Sequence, residues 1–349
     1  MALAAASILL PSFERDAHAD ERAPPRALGA PESYSAVALN TGVSVAANAE
    51  NFRLAQGPHA QGEAHSGAGN DSASLEDMHH HDGIDSQLEF GINFDDNVSR
   101  GRLGSEKRSD VSVNIGAERS MVFALTQETQ AVLVGSVGGE KFRSYDELDR
   151  IYARLNAELQ YRASGEFTAP TLAAFGQITG EQYQSKLRRG YRTSVGVSVR
   201  QYLTDRIQLS GELAHNERIT TGDVFSTRDN SLRLGLDYAL SGDSTLYLAG
   251  EHRRGDSVSS GQASLANIDI AKLYVLDDAF PGGQTYAYKF EARTNIFTLG
   301  LNLASGTRDS LDISWRRARA TPRSRPSFDA PGPWSYTVDQ VSVYYLVRF

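Results

Sequence analysis

The residues best suited to bind a metal form one short run, Asp-Met-His-His-His-Asp, at 77–82. Imidazole nitrogens suit zinc, copper and nickel, so His79, His80 and His81 are the candidate ligands. Three adjacent histidines cannot all easily face one ion, and the flanking sequence has little hydrophobic periodicity. A solvated linker is therefore the preferred interpretation of this run, and we predict neither a bound metal nor another cofactor.

Histidine also decides whether the chain could be a hydrolase, because a nucleophilic serine needs a histidine within hydrogen-bond reach. After residue 85 the chain holds two, His215 and His252. Both are in register with apolar residues in segments that alternate apolar and polar positions. Neither has a serine two residues away in its own segment. Since the sequence also lacks a phosphate loop and a nucleotide fingerprint, we predict that the protein is not an enzyme.

Many charged residues after position 85 alternate with apolar residues. In segment 150–161, Arg150, Arg154 and Glu158 take one register, and apolar residues take the other. Successive side chains of a β-strand point to opposite faces, so this spacing gives each strand one apolar and one polar face. If such strands form a barrel in a membrane, the polar face lines its lumen. The candidate lumen-lining residues are Arg150, Arg154, Glu158, Arg200, Glu212, Arg233, Asp237, Glu251, Arg316 and Arg348.

Period-two alternation is the dominant pattern from residue 86 to the end of the chain. The alternative for any one segment is an amphipathic helix, but leucines at 232, 234, 236 and 240 do not fit a 3.6-residue period. We predict about twelve strands, at 87–97, 110–118, 129–141, 150–161, 170–184, 194–200, 207–213, 232–240, 246–251, 297–303, 311–316 and 340–349.

The connections between these strands alternate in length. Five short polar turns follow every second strand, and the connections between them are mostly longer and more polar, the longest being 256–288. This alternation is typical of membrane barrels, with short periplasmic turns and longer extracellular loops. An even strand number closes an antiparallel barrel and leaves both termini on the periplasmic side. The alternative is a large soluble β-sandwich or a lipocalin-like barrel, with the apolar face inside.

The last ten residues, QVSVYYLVRF, are one of these strands and end on an aromatic residue. This ending resembles the C-terminal signal of Gram-negative outer-membrane β-barrels, with Phe last and apolar or aromatic residues at alternate positions before it. The resemblance implies an outer-membrane protein inserted by the barrel assembly machinery, in contact with outer-membrane lipid and lipopolysaccharide. Tyr345, Val347 and Phe349 are the residues that match the signal.

A second resemblance lies in GINFDDNVSR, at the end of the first predicted strand. It is similar to the first strand in the barrel domains of surface lipoprotein assembly modifiers and related uncharacterised barrels. The resemblance implies the same fold. It also implies the alternative function of a membrane scaffold in an export or surface complex.

Composition and the N-terminal region complete the domain organisation. The chain has 349 residues, no cysteine, and a net charge of −8, which argues against nucleic-acid binding. No run of about 18 apolar residues exists that would predict a transmembrane helix. Residues 1–19 resemble the end of a secretory signal with an Ala17-His18-Ala19 cleavage site. Residues 20–85 are predicted to be a disordered, Gly/Ala/His-rich periplasmic arm, and residues 86–349 the barrel.

These patterns predict an all-β, up-and-down transmembrane barrel that acts as a porin-like channel for small polar or charged solutes. The alternative function is a membrane scaffold or sleeve for a partner complex. A protein partner would then bind through the arm or through the connection 256–288, which is too apolar for a freely solvated loop. A barrel of about twelve strands lies between the filled eight-stranded and the open sixteen-stranded classes, so either a salt-bridged plug or a narrow pore fits.

Overall fold

A computed structural model of the chain describes residues 84–241, 243–280, 284–305, 308–324 and 334–349. Thirteen antiparallel strands form one sheet in these residues. The predicted signal, the arm up to residue 83 and the histidine run at 79–81 lie outside the described part of the chain. Within the described part, no helix is long and apolar enough to cross a membrane.

The strands follow one another around the sheet almost in sequence order. Their bounds are β1 (Ile84–Asp95), β2 (Asp110–Ala124), β3 (Thr129–Phe142), β4 (Arg150–Arg162), β5 (Thr171–Tyr183), β6 (Gly190–Tyr202), β7 (Ile207–Thr220), β8 (Thr227–Ser241), β9 (Ser244–Gln262), β10 (Leu273–Leu276), β11 (Thr285–Ser305), β12 (Asp309–Pro322) and β13 (Tyr336–Arg348), with one helix, α1 (Leu265–Ile270), between β9 and β10.

The sheet closes into a barrel because its last strand pairs with its first. The β1–β13 register runs from Gln87 opposite Arg348 to Asp95 opposite Gln340. Strand β10 pairs only with β11 and lies outside the ring, so twelve of the thirteen strands form the barrel. The predicted fold, an antiparallel barrel of about twelve strands, is confirmed.

Burial alternates along the strands and shows which face is inside. Along β4, every second residue from Arg150 to Arg162 is buried, whereas the intervening Ile151 and Leu155 are 65% and 54% exposed. Polar side chains therefore lie inside and aliphatic side chains outside, the reverse of a soluble barrel. The soluble alternative is wrong, because an apolar exterior of this kind is stable only against lipid. The chain has the architecture of an outer-membrane β-barrel.

Bulky aromatic residues on the inner face are accommodated by glycines directly opposite them on the neighbouring strand. A Cβ atom at Gly300 would lie 2.1 Å from the ring of Tyr247, so the ring occupies the space of the missing side chain. Such pairs cover glycine and help to fix the strand register. The four pairs are Gly91–Tyr344, Gly138–Tyr152, Gly196–Phe175 and Gly300–Tyr247.

The long connection predicted at 256–288 is shorter than expected. Strand β9 continues to Gln262 and β11 begins at Thr285, so the loop between them comprises residues 263–284 and holds α1 and β10. The sequence around 255–262 is rich in glycine and serine and therefore has low strand propensity. Pairing with β11, from Gly255–Ala292 to Gln262–Thr285, nevertheless keeps it in the sheet. Ser264 caps the N-terminus of helix α1, and its hydroxyl accepts a hydrogen bond from the Asn267 backbone amide.

Candidate functional site: the barrel interior and its mouth

The structure places all ten predicted lumen residues in the inward register of their strands. Glu212, Arg233 and Glu251 are half-buried. The other seven are buried: Arg150, Arg154, Glu158, Arg200, Asp237, Arg316 and Arg348.

The largest ionic cluster lies near the end of the barrel that carries the long loops, and it is centred on Glu181 of β5. Its carboxylate accepts from Arg150 Nη1 at 2.9 Å and lies 3.1 Å from Nη2 of both Arg192 and Arg218. The four side chains are almost fully buried. Strands β4, β5, β6 and β7 are neighbours, and their registers bring the three guanidinium groups around one carboxylate.

A second carboxylate extends this cluster toward β3. Glu140 accepts a hydrogen bond from Arg150 Nε at 3.0 Å and another from the Ser112 hydroxyl at 2.7 Å. Arg150 also donates to the Tyr183 hydroxyl at 3.2 Å. The side chain of Arg150 thus joins β3, β4 and β5 across the inner wall. An arginine suits this position because its planar guanidinium group carries several N–H donors and can donate to two carboxylates at once.

The sequence prediction missed Glu140, Glu181, Arg192 and Arg218. Strand β6 was predicted to begin at 194 and β7 to end at 213, which left Arg192 and Arg218 outside the predicted strands. Alternation also leaves the face assignment of β3 and β5 open. Glu140 and Glu181 lie inside the segments predicted at 129–141 and 170–184. Extending the period-two pattern by two residues before 194 and by five after 213 would have reached Arg192 and Arg218.

Toward the end with the short turns, polar side chains line the interior and one turn packs against the barrel opening. Arg200 lies 3.3 Å from Glu158, and Gln160 donates to the same carboxylate at 2.9 Å. The turn after β4 folds beneath the barrel, where the ring of Phe167 packs 5.0 Å from that of the inward-facing Tyr202. This turn therefore covers part of the barrel opening.

At the opposite end, the first long loop folds into the mouth of the barrel. Arg100 is buried in this loop and forms an ion pair with Asp95 at 2.8 Å. The side chain of Asn97 donates to the Gly101 carbonyl at 3.0 Å and accepts from the Gly101 amide at 2.9 Å. The Ser99 hydroxyl donates to the Glu106 carbonyl at 2.7 Å. These contacts fix the loop against the inner edge of the mouth.

Residues 277–280 of the β9–β11 loop cross the mouth and reach the loop between β5 and β6; we call them the cap. Arg188 Nη2 lies 2.8 Å from Asp277, and Nη1 lies 3.1 Å from Asp278; these two ion pairs are the latch. Burial raises the pKa of the Asp277 carboxyl, but the Arg188 guanidinium opposes this and holds it below the ordinary value of 3.8. The ionised, paired form is therefore the stable one.

An apolar contact holds the other end of the cap. Phe280 is buried in a cluster with Val98 of the first long loop and with Phe142 and Leu148 at the β3–β4 connection. Its ring also lies 5.1 Å from that of Tyr145. The β1–β2, β3–β4 and β5–β6 connections therefore all contact the cap.

The residues that match the C-terminal signal lie at the seam where the barrel closes. The Phe349 amide donates to the Ser86 carbonyl at 3.0 Å, and its side chain is 68% exposed. Tyr345 is 42% exposed, and its hydroxyl donates to Asp309 at 2.8 Å. Val347 is half-buried opposite Leu88 of β1.

The two histidines of the barrel face outward, away from the ionic interior. His215 Nδ1 lies 2.8 Å from the Asn230 side-chain oxygen, and His252 Nδ1 lies 2.8 Å from that of Asn295. In the described residues, no group of three or more His, Asp or Glu side chains is placed to hold a metal ion.

Comparison with known proteins gives similar folds of low identity. No protein-family model matches the chain, and no curated protein does. An outer-membrane channel from Pseudomonas putida F1 is 12% identical, over 77% of this chain and 96% of that one, with a TM-score of 0.49. The KdgM porin in complex with disordered oligogalacturonate is 8% identical over 75% and 99%, with a TM-score of 0.40. The translocator domain of the autotransporter NalP from Neisseria meningitidis is 11% identical over 78% and 90%, with a TM-score of 0.37.

Proposed function

We propose that this protein is an outer-membrane channel for small polar or charged solutes, and that the cap closes it at the extracellular mouth. The observation that carries this proposal is a charged barrel interior with four residues of one loop held across its mouth. The long loops are taken to be extracellular and both termini periplasmic, because bacterial barrels have short periplasmic turns.

The chemistry of the interior supports passage of hydrophilic solutes. Arginine and carboxylate side chains face the lumen from most of the ring, so a solute inside meets hydrogen-bonding groups rather than an apolar core. Twelve strands also give a wider interior than the eight-stranded barrels that side chains fill completely. Outer-membrane lipid, lipopolysaccharide and the barrel assembly machinery remain the partners that we propose from the sequence.

The attachment of the cap supports a closed state that can open. The loop that carries the cap is anchored at β9 and β11, whereas the latch ties it to Arg188 on the other side of the mouth. Removing one partner of a buried ion pair costs about 3–5 kcal/mol. A few interactions of this size therefore decide whether the cap stays over the mouth.

The test is conductance in planar lipid bilayers. The wild-type barrel should be mostly closed, and the double variant Asp277→Asn/Asp278→Asn should raise the open fraction at least tenfold. The matched control is Asp256→Asn, which removes the 2.7 Å ion pair with Lys272 on the same loop without touching the latch. It should behave like the wild type.

A variant that lacks residues 264–284 makes the test decisive. If this variant inserts as a folded barrel and still passes no ions, the protein is not a channel. If it conducts but the latch variant does not, the channel stands and the latch is not what closes it.

A further inference from the structure

We infer that the solute path is eccentric: it runs along the inner wall formed by β6–β9, where a row of alternating charges selects small dipolar solutes. This inference rests on the proposed channel function and names the substrate class for it. The row consists of Glu212, Arg233 and Glu251.

Burial identifies this wall. Away from the strand ends, the non-glycine side chains of the described inner face are buried around the ring, except on four neighbouring strands. The half-buried ones are Ser198 on β6, Ser210 and Glu212 on β7, Arg233 on β8 and Glu251 on β9. These five are contiguous, and Glu251 is only slightly exposed, with a side-chain exposure of 9%. We therefore place the solute path against this wall rather than on the barrel axis.

Side-chain size explains why the space lies there. Next to the charged row, the wall carries Gly196, Ser198, Ser210 and Gly235, which project little or nothing into the lumen. In the ring order, strands β13, β1 and β2 lie opposite. Their inner face carries larger residues that are buried, among them Tyr344 at 0% and Glu89 at 5% exposure.

The strand register sets the three charges side by side. Glu212 lies directly opposite Arg233, and Arg233 directly opposite Glu251. Neighbouring strands are about 4.8 Å apart, so opposite charges follow each other at that spacing along the wall. Behind the row, Arg253 Nε forms an ion pair with Glu251 at 2.5 Å, which balances the charge of that carboxylate.

This arrangement determines the solute class. With Arg253, the site holds two carboxylates and two guanidinium groups, so it has no net charge that would favour a simple cation or anion. A solute with an ammonium and a carboxylate a few ångströms apart can pair with Glu212 and Arg233 at the same time. Small solutes of this dipolar kind should therefore pass faster than singly charged solutes of equal size.

The path can be tested by labelling introduced cysteines, because the chain contains no cysteine of its own. This test does not depend on conductance. Single variants Ser198→Cys and Ser210→Cys, each with Asp277→Asn/Asp278→Asn, are exposed to a small charged thiosulfonate reagent. The matched controls are Ser136→Cys and Ser314→Cys, inward serines on other walls that are 7% and 4% exposed. Ser144→Cys in the exposed β3–β4 connection verifies that the reagent reacts.

Labelling at 198 and 210 should be at least tenfold faster than at 136 and 314. Equal rates, or no labelling at any inward position while 144 reacts, would overturn the eccentric path. Equal rates would overturn the eccentric path alone, because they show that the reagent enters the lumen, whereas no inward labelling would also count against the channel proposal.

Selectivity is then measured in the latch variant through reversal potentials and through vesicle swelling. Arg233→Gln should shift permeability toward cations and Glu212→Gln toward anions, and both should slow a dipolar solute relative to a neutral one. Glu118→Gln makes the same change on the opposite wall and should leave the ion selectivity and the rate of the dipolar solute unchanged. Unchanged selectivity in both row variants would refute the assignment of solute class.

Discussion

Replacement of Glu181 by glutamine tests the ionic interior most directly. The substitution keeps the shape of the side chain but removes the charge on which Arg150, Arg192 and Arg218 converge at 2.9, 3.1 and 3.1 Å. Breaking a buried pair by removing one partner costs about 3–5 kcal/mol, because the other charge stays buried. In the variant, Arg150 still pairs with Glu140, and the new amide oxygen still accepts one hydrogen bond. We therefore expect the free energy of unfolding to fall by about 3–4 kcal/mol, the lower part of this range.

The assay is reversible urea unfolding of the barrel in lipid vesicles, followed by the fluorescence of its two tryptophans. With a urea dependence of about 1–3 kcal/mol per molar, the unfolding midpoint should fall by roughly 1–4 M. The tryptophans lie at positions 315 and 334, in and just before the strands that close the barrel, so they report global unfolding rather than a change near Glu181.

The control is Glu217→Gln, which removes a rim ion pair with Arg228, a residue whose side chain is 64% exposed. An exposed pair contributes about 0–1 kcal/mol, so the midpoint should hardly move. Adding Arg218→Gln to Glu181→Gln should restore part of the stability, because one buried unpaired charge is removed. A loss for Glu181→Gln no larger than that of the control would refute the idea that this carboxylate neutralises the cluster.

Three further predictions follow from single residues. Gly300→Ala should destabilise the barrel by about 1–3 kcal/mol in the same urea assay, because its Cβ would meet the Tyr247 ring; Gly176→Ala, with no atom within 4 Å, should not. Deleting Phe349 should slow assembly into vesicles, measured by the gel shift of the folded barrel, and normal insertion would weaken the signal assignment. Because the folded pKa of Asp277 lies below 3.8, the latch is stabilising above that value and is lost only as the pH falls further. Wild-type conductance should therefore stay low from about pH 7 to about pH 4, and a rise in conductance within that range would contradict the ion pair.

The sequence predicted which segments are strands and which side chains share a face, since both depend on local geometry. Alternation is a property of consecutive residues: once 150–161 is a strand, Arg150, Arg154 and Glu158 must share a side. The same reasoning placed the polar face inside once the strand number and the turn pattern favoured a membrane barrel.

Neither the partners of these residues nor the closure of the mouth could be predicted in this way. That Arg150, Arg192 and Arg218 meet at Glu181 depends on the registers of four strands, which backbone pairing sets between segments far apart in sequence. The extension of β9 through residues 255–262 depends on β11, because glycine and serine carry little strand propensity of their own. The cap depends on contacts between residues 277–280 and three other connections. Alternation needs only neighbours in the chain, whereas register, ion-pair partners and loop docking are fixed only when the barrel has closed.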